Sequence, residues 1–567
     1  MNLTKHIILS ICLLSTALLI HAASPQPSWT KKTLKALFTL KTFDDNGQLL
    51  SSSHGFFIGN KGEAVSNLSA FKGAQRASII DAQGKEYAVS MLLGANDLYD
   101  VIKFRVDIKQ STPLTIATSQ PQEGSRLWLQ PYSIKKPSKC LEGTLTRSET
   151  INGSYAYYTI TLNTPDPLVG LPFINDNGEV VGICQASSSK KDANVCYAIS
   201  AEYANSLKMS GLSFNNEALR SIGIKKDLPD DLSQAVLTLY LAGTALDSTR
   251  MADYSTMIED FILKFPTAPD GYISRAQLAV VNRQYAEADK NMSEALKVAD
   301  KKDDAHFSYA RMIYQKALYD QTTSYDAWSL EKAAVEAEAA YQANPLPIYR
   351  QLEAQIRFSQ KDYPAAAELY LSVVGQGGID AELYSGASQC KSALGDTVAA
   401  IALLDSAVNT FSKPYLKAAA PYLLARAYAN LSAGNFRHSF NDLNEYEQLM
   451  PTEVNDRFYY VRSQAAVGGR MFQQALNDLA KAISMSPSNT LYYSEKASLE
   501  VRVGLYEDAI ETATACIHAD AQQSDGYLFL GLAQCLLGQR TEGCKNLEKA
   551  KELGDTQAEE LIKKYGK

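Results

Sequence analysis

A tyrosine recurs near the C-terminal end of the chain at an interval of 34 residues, at Tyr459, Tyr493 and Tyr527. Four positions after each of them stands a small residue: Ser463, Ala497 and Gly531. A fixed period of this length is typical of stacked repeats, because one short hairpin cannot bury its own apolar face and needs a neighbour on each side. The back half of the chain is therefore predicted to be an array of small repeated units.

The repeated units have a helical pattern. From about residue 229 onward Ala, Leu, Glu, Lys and Gln dominate, and apolar residues recur at helical spacing. Further units align from Tyr272 and Tyr384, and the second helix of each unit opens with a small residue: Ala288, Ala400, Ala475, Ala509 and Gly543. Small residues at both places allow the two helices of a unit to approach closely. These units resemble the tetratricopeptide repeat (TPR), which implies a helical superhelix over residues 269–567 with a C-terminal capping helix.

The resemblance also implies a binding face. Stacked TPR hairpins expose the second, fifth, ninth and twelfth positions of each unit on their concave wall. These positions predict a peptide-binding surface: Leu424, Tyr428, Leu431, Arg457, Tyr460 and Gln464. Some TPR domains grip a C-terminal carboxylate with Lys, Asn and Arg, but Leu424 and Ala425 stand where polar groups would be needed. We therefore expect a protein or peptide partner other than such a tail. Alternatively, these side chains only aid stacking and solubility.

The front half has a different pattern. From Thr33 to about Ile199, short segments rich in Val, Ile, Phe and Tyr alternate with turn sequences such as DDNG, GNKG and NDNG. Many short strands at regular spacing predict an all-β sandwich or barrel. The chain is thus predicted to be multidomain, with an all-β front and an all-α back.

The order and spacing of four segments in the front half are characteristic: SHGFFIGNKGEAVSNLSAF, GANDLYDVIKFRVD, NTPDPLVGLPFINDNGEVVGIC and VCYAIS. This succession resembles the HtrA-type branch of trypsin-like serine proteases. The resemblance implies two six-stranded β-barrels with an active-site cleft between them. It also allows the catalytic positions to be checked one at a time.

The positions that correspond to the catalytic triad are Ser69, Asp100 and Val169. Only Asp100 matches the family, because the imidazole position holds serine and the nucleophile position holds valine. Pro167 stands at a position that should donate an oxyanion N–H, and proline has none. A serine hydrolase needs all of these groups. We therefore interpret the domain as a pseudoprotease in which Asp100 has a structural role.

The composition supports this interpretation without an alignment. The chain has six histidines, and His54 is the only one between the N-terminal leader and the repeats. It lies in the strand before the expected position of the base. No serine occurs between Ser154 and Ser187, which covers any plausible register of the nucleophile loop.

Cys184 and Cys196 lie on segments that form paired strands in the resembling fold, so a disulfide between them is possible, and two buried thiols are the alternative. Cys140 is expected to stay free. No CxxC pair or cysteine–histidine spacing suggests zinc, so we expect no metal and no cofactor.

The N-terminal residues 1–22 read as a secretory signal peptide, with a short basic start and an apolar run, so we expect a periplasmic or extracellular location. A retained anchor is the alternative for this segment, and no later segment is apolar enough to span a membrane. With 55 Lys and Arg against 62 Asp and Glu and no basic stripe, the chain is not expected to bind nucleic acid.

We predict a trypsin-like domain over 28–212, a linker over 213–228, a divergent helical pair over 229–268 and the TPR array beyond it. Three functions fit this order: a secreted interaction scaffold without catalysis, a working peptidase, or an envelope assembly or maintenance factor that acts through the array. The sequence names no partner and no oligomeric state.

Overall fold

The computed structural model describes residues 26–133, 139–151, 155–164, 168–186, 194–244 and 251–566. The predicted signal peptide lies outside these ranges. The chain divides into two compact units, one formed by residues up to 279 together with 293–298, and the other by 280–292 together with 299 onward. Each unit is described by itself.

The first unit begins with helix α1 (Thr30–Ala36) and a closed antiparallel barrel of six strands in the order β1-β2-β3-β6-β5-β4. Its strands are β1 (Leu37–Phe43), β2 (Leu49–Phe57), β3 (Glu63–Ser66), β4 (Arg76–Ile80), β5 (Glu86–Asn96) and β6 (Val101–Val106). Side chains alternate between the two faces of each strand, so every second residue reaches the interior. The barrel core is aromatic and aliphatic: Phe38, Leu40, Phe57, Ile79, Leu92 and Phe104.

A second closed antiparallel barrel follows, with strand order β10-β11-β12-β9-β8-β7. Its strands are β7 (Arg126–Leu129), β8 (Leu141–Ile151), β9 (Tyr155–Thr161), β10 (Pro172–Ile174), β11 (Val180–Gln185) and β12 (Val195–Ser200). Its core shares one cluster with residues of the first barrel, including Leu37, Phe56 and Val101. The two barrels therefore pack on each other through buried side chains, which confirms the predicted double-barrel fold.

Residues 201–264 add short helices and a helical pair to the first unit. The helices are α2 (Tyr203–Ser206), α3 (Glu217–Arg220), α4 (Leu232–Thr244) and α5 (Met251–Lys264). The predicted linker packs on the first barrel, because Leu219, Ile222 and Ile224 are buried in its core cluster. The pair α4 and α5 has a small core of its own, with Leu239, Ile258 and Phe261 fully buried.

Helices α6 (Pro269–Val281) and α7 (Tyr285–Val298) contain the residues at which the chain passes between the units. The remaining helices form consecutive antiparallel pairs and a cap: α8 (Asp303–Tyr319), α9 (Leu330–Ala343), α10 (Pro347–Ser359), α11 (Tyr363–Leu371), α12 (Asp380–Ala393), α13 (Thr397–Asn409), α14 (Ala420–Ser432), α15 (Phe436–Leu449), α16 (Asp456–Gly468), α17 (Phe472–Met485), α18 (Thr490–Val503), α19 (Tyr506–Ala519), α20 (Ser524–Leu536), α21 (Arg540–Glu552) and α22 (Ala558–Tyr565).

The small residues singled out in the sequence lie where the two helices of a hairpin approach each other. Ser388 on α12 donates from its hydroxyl to the carbonyl oxygen of Ala400 on α13 at 2.8 Å. A Cβ added to Gly531 on α20 would stand 2.7 Å from the carbonyl oxygen of Gly543 on α21. These contacts leave no room for a larger side chain, so the repeat signature has a steric cause. In the part of the chain that the structure describes, no helix combines the length and apolarity needed to cross a bilayer.

Candidate functional sites: the triad positions and the repeat groove

Two of the three predicted triad positions lie on the loops that follow β3 and β5 of the first barrel. Ser69 lies in a single 3-10 turn (Leu68–Phe71) after β3, and Asp100 stands just before β6. One carboxylate oxygen of Asp100 accepts the backbone N–H of Ser69 at 2.6 Å, and the other accepts the Ser69 hydroxyl at 2.8 Å. Ser69 thus donates one hydrogen bond to each oxygen of this carboxylate.

The backbone at Asp100 is unusual. Its φ angle of +47° lies in the left-handed region that non-glycine residues seldom adopt. Partial burial raises the pKa of the Asp100 carboxyl, and the hydrogen bonds from Ser69 oppose that rise. The Asp100 carboxylate therefore connects the loop before β6 to the loop after β3, and its structural role stays a prediction.

Val169 stands at the first residue of a turn that Gly170 makes possible. Gly170 has φ +84°, and a Cβ there would come within 2.2 Å of the carbonyl oxygen of His54. The Ser53 hydroxyl donates to Asn67 Oδ1 at 2.5 Å and lies 3.5 Å from the carbonyl oxygen of Val169. The nucleophile position is therefore close to β2, but its side chain is an alkyl group. Pro167, the residue at the oxyanion position, lies outside the described residues.

The His54 side chain lies on the opposite face of β2 from the Ser53 hydroxyl. It follows Ser53 on β2, and successive side chains of a strand point to opposite faces. Its ring lies against Tyr132, with the ring centroids 6.3 Å apart. Burial lowers the pKa of His54, which favours the neutral ring. The Ser53 face instead holds a chain of hydrogen bonds, because Asn67 Nδ2 donates to the Ser69 hydroxyl at 2.8 Å.

The predicted peptide-binding residues lie on two helices of the array. Leu424, Tyr428 and Leu431 are on α14, and Arg457, Tyr460 and Gln464 are on α16. Tyr428, Arg457 and Gln464 are exposed, whereas Leu424, Leu431 and Tyr460 pack partly against a buried cluster. The Tyr460 ring lies 5.3 Å from that of Tyr492 on α18. Three of the six predicted binding residues are thus exposed, and the other three contribute to packing.

The structure reveals a groove one step earlier in the array. It is formed by the first helices of four successive hairpins, α8, α10, α12 and α14, and has a volume of about 360 Å³. We call it the repeat groove. Its lining residues are polar or aromatic: Tyr314, Gln351, Gln355, Phe358, Tyr370, Glu382, Ser385, Gly386, Gln389 and Tyr422.

The same positional rule that predicted the surface on α14 and α16 finds most of this groove. In the unit that begins at Pro347, the fifth and ninth positions are Gln351 and Gln355. In the unit that begins at Ala381, the ninth is Gln389. The predicted surface covers only two later units, on α14 and α16, and therefore does not include these residues. The Tyr370 ring comes from a second helix and fits because Gly386 has no side chain, since a Cβ there would stand 2.6 Å from the ring.

Cys184 and Cys196 are free in the structure, so the possible disulfide is not formed in it. Across the β11–β12 ladder Cys184 faces Ala198, two residues beyond Cys196. The two cysteines are therefore diagonal neighbours and not a directly opposed pair. Burial is the main cause that raises the pKa of the Cys184 thiol, with a smaller contribution from Cys196. Cys140 is also free and buried.

We predict that both thiols stay reduced in the native protein. Alkylation under denaturing conditions without prior reduction, followed by mass spectrometry, is expected to find the alkyl group on both Cys184 and Cys196. Alkylation after reduction gives the reference mass. A peptide pair that is linked without reduction and separates after it would show that the bridge forms and contradict this prediction.

No known family profile matches the chain. Among curated proteins, the TPR repeat-containing thioredoxin TDX of Arabidopsis thaliana is 27% identical over 104 residues, which is 18% of this chain and 27% of that protein. The Small glutamine-rich tetratricopeptide repeat-containing protein 2 of Saccharomyces cerevisiae is 24% identical over 123 residues, which is 22% of this chain and 36% of that protein. Superkiller complex protein 3 of Mus musculus is 23% identical over 349 residues, which is 61% of this chain and 21% of that protein. The chain thus spans only a fifth to about a third of these relatives.

Among solved structures, the active form of the Rv3671c protease from M. tuberculosis aligns with 36% of this chain and 91% of its own, at 17% identity and a TM-score of 0.28. The serine endoprotease from Yersinia pestis aligns with 32% of this chain and 66% of its own, at 16% identity and a TM-score of 0.28. The fold is assigned from the two closed six-stranded barrels themselves. The chain joins a trypsin-like double β-barrel to an array of tetratricopeptide repeats.

Proposed function

We propose that this chain is a secreted, periplasmic or extracellular interaction scaffold, in which the trypsin-like domain does not catalyse and the TPR array binds an extended peptide segment of a partner protein. The single observation that carries the proposal is the repeat groove, which four successive hairpins line with polar side chains. The secreted location rests on the predicted signal peptide of residues 1–22.

The triad positions support the non-catalytic part of the proposal. Peptide hydrolysis by this fold requires an imidazole to take the proton of the nucleophile. Ser69 occupies that place and binds both oxygens of Asp100. A serine hydroxyl cannot act as a general base at neutral pH, and Val169 offers no nucleophile. Ser69 is exposed and hydrogen-bonded to a carboxylate, so the reactivity of its hydroxyl can be tested with a fluorophosphonate probe.

The chemistry of the repeat groove supports an extended peptide as the ligand. Gln351, Gln355 and Gln389 carry side-chain amides, each with donors and an acceptor. A peptide in extended conformation presents backbone N–H and C=O groups in the same alternation, so amide side chains can pair with it irrespective of its sequence. Tyr314 and Tyr422 add flat apolar surface at the two ends.

Charge in the groove favours a neutral or basic segment. Glu382 lies on the wall of the groove and accepts a hydrogen bond from the Tyr422 hydroxyl. The pKa of Tyr422 is raised to about 12, mainly by burial and to a smaller extent by that carboxylate. A free C-terminal carboxylate would be repelled by Glu382, which agrees with the unmatched carboxylate-binding residues in the sequence. The interior of a partner's chain therefore fits better than its end.

We predict that the double variant Gln351→Ala with Gln355→Ala loses partner binding. Removal of two hydrogen bonds to a ligand is expected to weaken binding about tenfold or more. The test is a crosslinked pull-down of the tagged full-length protein from its own envelope fraction, with helicity first checked by circular dichroism. The variant Arg457→Ala with Tyr460→Ala tests whether the site continues onto α16, and we expect a loss there as well.

Gln473 and Asn477 provide the matched control, because they lie on the exposed face of α17 and hydrogen-bond each other. Gln473→Ala with Asn477→Ala removes two amides without touching the repeat groove and is expected to keep every partner. If both test variants retain all partners at the yield of the control, the binding face is elsewhere and the proposal is wrong. A partner set made up of envelope assembly proteins would favour the alternative reading as an assembly or maintenance factor.

A further inference from the structure

A cavity of about 430 Å³ lies in the first unit, where residues 220–228 meet helices α4 and α5. This volume is within the range of small-molecule sites in proteins. Seven of its fifteen lining residues are apolar or aromatic: Ile222, Ile224, Leu228, Leu241, Ala242, Tyr254 and Met257. We call it the junction cavity, and neither the triad positions nor the repeat groove uses any of its residues.

Lys226 places its ammonium group on the wall of this cavity, where the residue is partly buried. Its Nζ donates to the carbonyl oxygen of Ile222 at 2.6 Å, which takes one of three donors. Burial lowers the pKa of Lys226, and the negative charge of Asp253 opposes that effect. A partly buried cation of this kind is stabilised by an anion that approaches from the cavity.

The backbone fixes this lysine in place. The N–H of Leu92 on β5 donates to the carbonyl oxygen of Lys225 at 2.8 Å, and the N–H of Asp227 donates to the carbonyl oxygen of Leu92 at 2.8 Å. Residues 225–227 are thus hydrogen-bonded to the first barrel on both sides of Lys226. The neighbouring Lys225 already has a carboxylate partner, since its Nζ lies 2.6 Å from Asp260.

We propose that the junction cavity binds a small molecule with an apolar body and a single carboxylate, which pairs with Lys226. An uncharged apolar ligand would leave the ammonium group without an added partner. The charged lining residues are Arg220, Lys225, Lys226, Asp253 and Asp260, which together carry one net positive charge, and a doubly charged phosphate would exceed it. One carboxylate therefore matches the charges best. The inference is independent of the function proposed for the repeat groove.

Dodecanoate and dodecanol are suitable probes, because they share the apolar body and differ in the charge of the head. Calorimetric titration of the full-length protein is expected to give one dodecanoate site, with at least about tenfold weaker binding of dodecanol, since a hydrogen bond to a charged group is worth a factor of this size. Lys226→Met should reduce dodecanoate affinity to that of the alcohol. Lys208→Met, a surface control outside the cavity, should leave it within twofold.

A second variant tests the cavity without changing a charge. Met257→Trp puts a larger side chain on its wall and is expected to abolish binding of both probes, with circular dichroism confirming the fold. Equal affinity for the two probes, unchanged dodecanoate binding by Lys226→Met, or no binding of dodecanoate by the wild-type protein would each overturn the proposal.

Discussion

Purified full-length protein is expected to leave casein and fluorogenic peptides uncleaved, with turnover about 10⁶-fold below that of an enzyme with an intact triad. The loss of either nucleophile or base has an effect of this size. In the proposed correspondence with the family, Ser69 stands at the base position and Val169 at the nucleophile position. The carboxylate of Asp100, which would orient the imidazole of an active enzyme, instead accepts two hydrogen bonds from Ser69.

Two measurements check this prediction. The first is hydrolysis of casein and of mixed fluorogenic peptides by wild type, by Asp100→Ala and by a mock preparation. The second is labelling by a fluorophosphonate probe, compared between wild type and Ser69→Ala. Turnover that is present in wild type but absent from both Asp100→Ala and the mock preparation would show a true peptidase. Labelling that depends on Ser69 would identify the hydroxyl that acts as the nucleophile.

The repeat array could be predicted in detail because its sequence signal has a steric origin. Close helix approach leaves no room for a Cβ at Gly531 and Gly543, and the other units have alanine or serine there, so small residues return at the same interval. Strands separated by turn residues predicted only a sandwich or a barrel, and the double barrel was implied by the resemblance of four ordered segments to trypsin-like proteases. The helical repeat signal is local, since it depends on neighbours within one hairpin.

The sites were harder to predict because they depend on contacts between distant segments. The hydrogen bond between Ser69 and Asp100 joins residues 31 positions apart, and the sequence could only place each of them in a motif. The repeat groove needs four helices to converge. The diagonal offset of Cys184 and Cys196 is a matter of strand register, which a segment of alternating residues does not determine by itself.

A further feature that the repeat pattern did not reveal is a buried ionic pair in the hairpin of α16 and α17. The Arg462 guanidinium binds Asp478 through two bonds of 2.9 and 2.7 Å, and also donates to Asn444 and Glu447. The side chains of Arg462 and Asp478 are only 6% and 5% exposed. The preceding hairpin has a similar pair at the same spacing of 16 residues, between Arg426 and Asp442. The pair thus links the first helix of a unit to the second.

Replacing Arg462 with alanine is expected to lower the free energy of unfolding by about 3–5 kcal/mol, which is the usual effect of removing one partner from a buried ion pair. Three aromatic rings pack around the guanidinium: Phe440, Phe458 and Tyr459. The variant would leave Asp478 in this apolar surrounding without its main partner. Burial already raises the pKa of Asp478, and Arg462 is the group that most opposes the rise. The carboxylate must then be either desolvated or protonated, and both states cost stability.

Urea unfolding of the full-length protein, followed by the helical circular dichroism signal, measures this effect. Arg457→Ala on the same helix is the control, because Arg457 is exposed and its loss should change stability by no more than about 0.5 kcal/mol. Arg462→Met combined with Asp478→Leu should recover most of the loss, since apolar groups of similar volume can replace a buried pair. Glu447 would keep Tyr459 and Lys481 as partners in that variant. If the double variant is as unstable as Arg462→Ala, packing of the guanidinium against the rings, and not the stranded carboxylate, determines the stability of this hairpin.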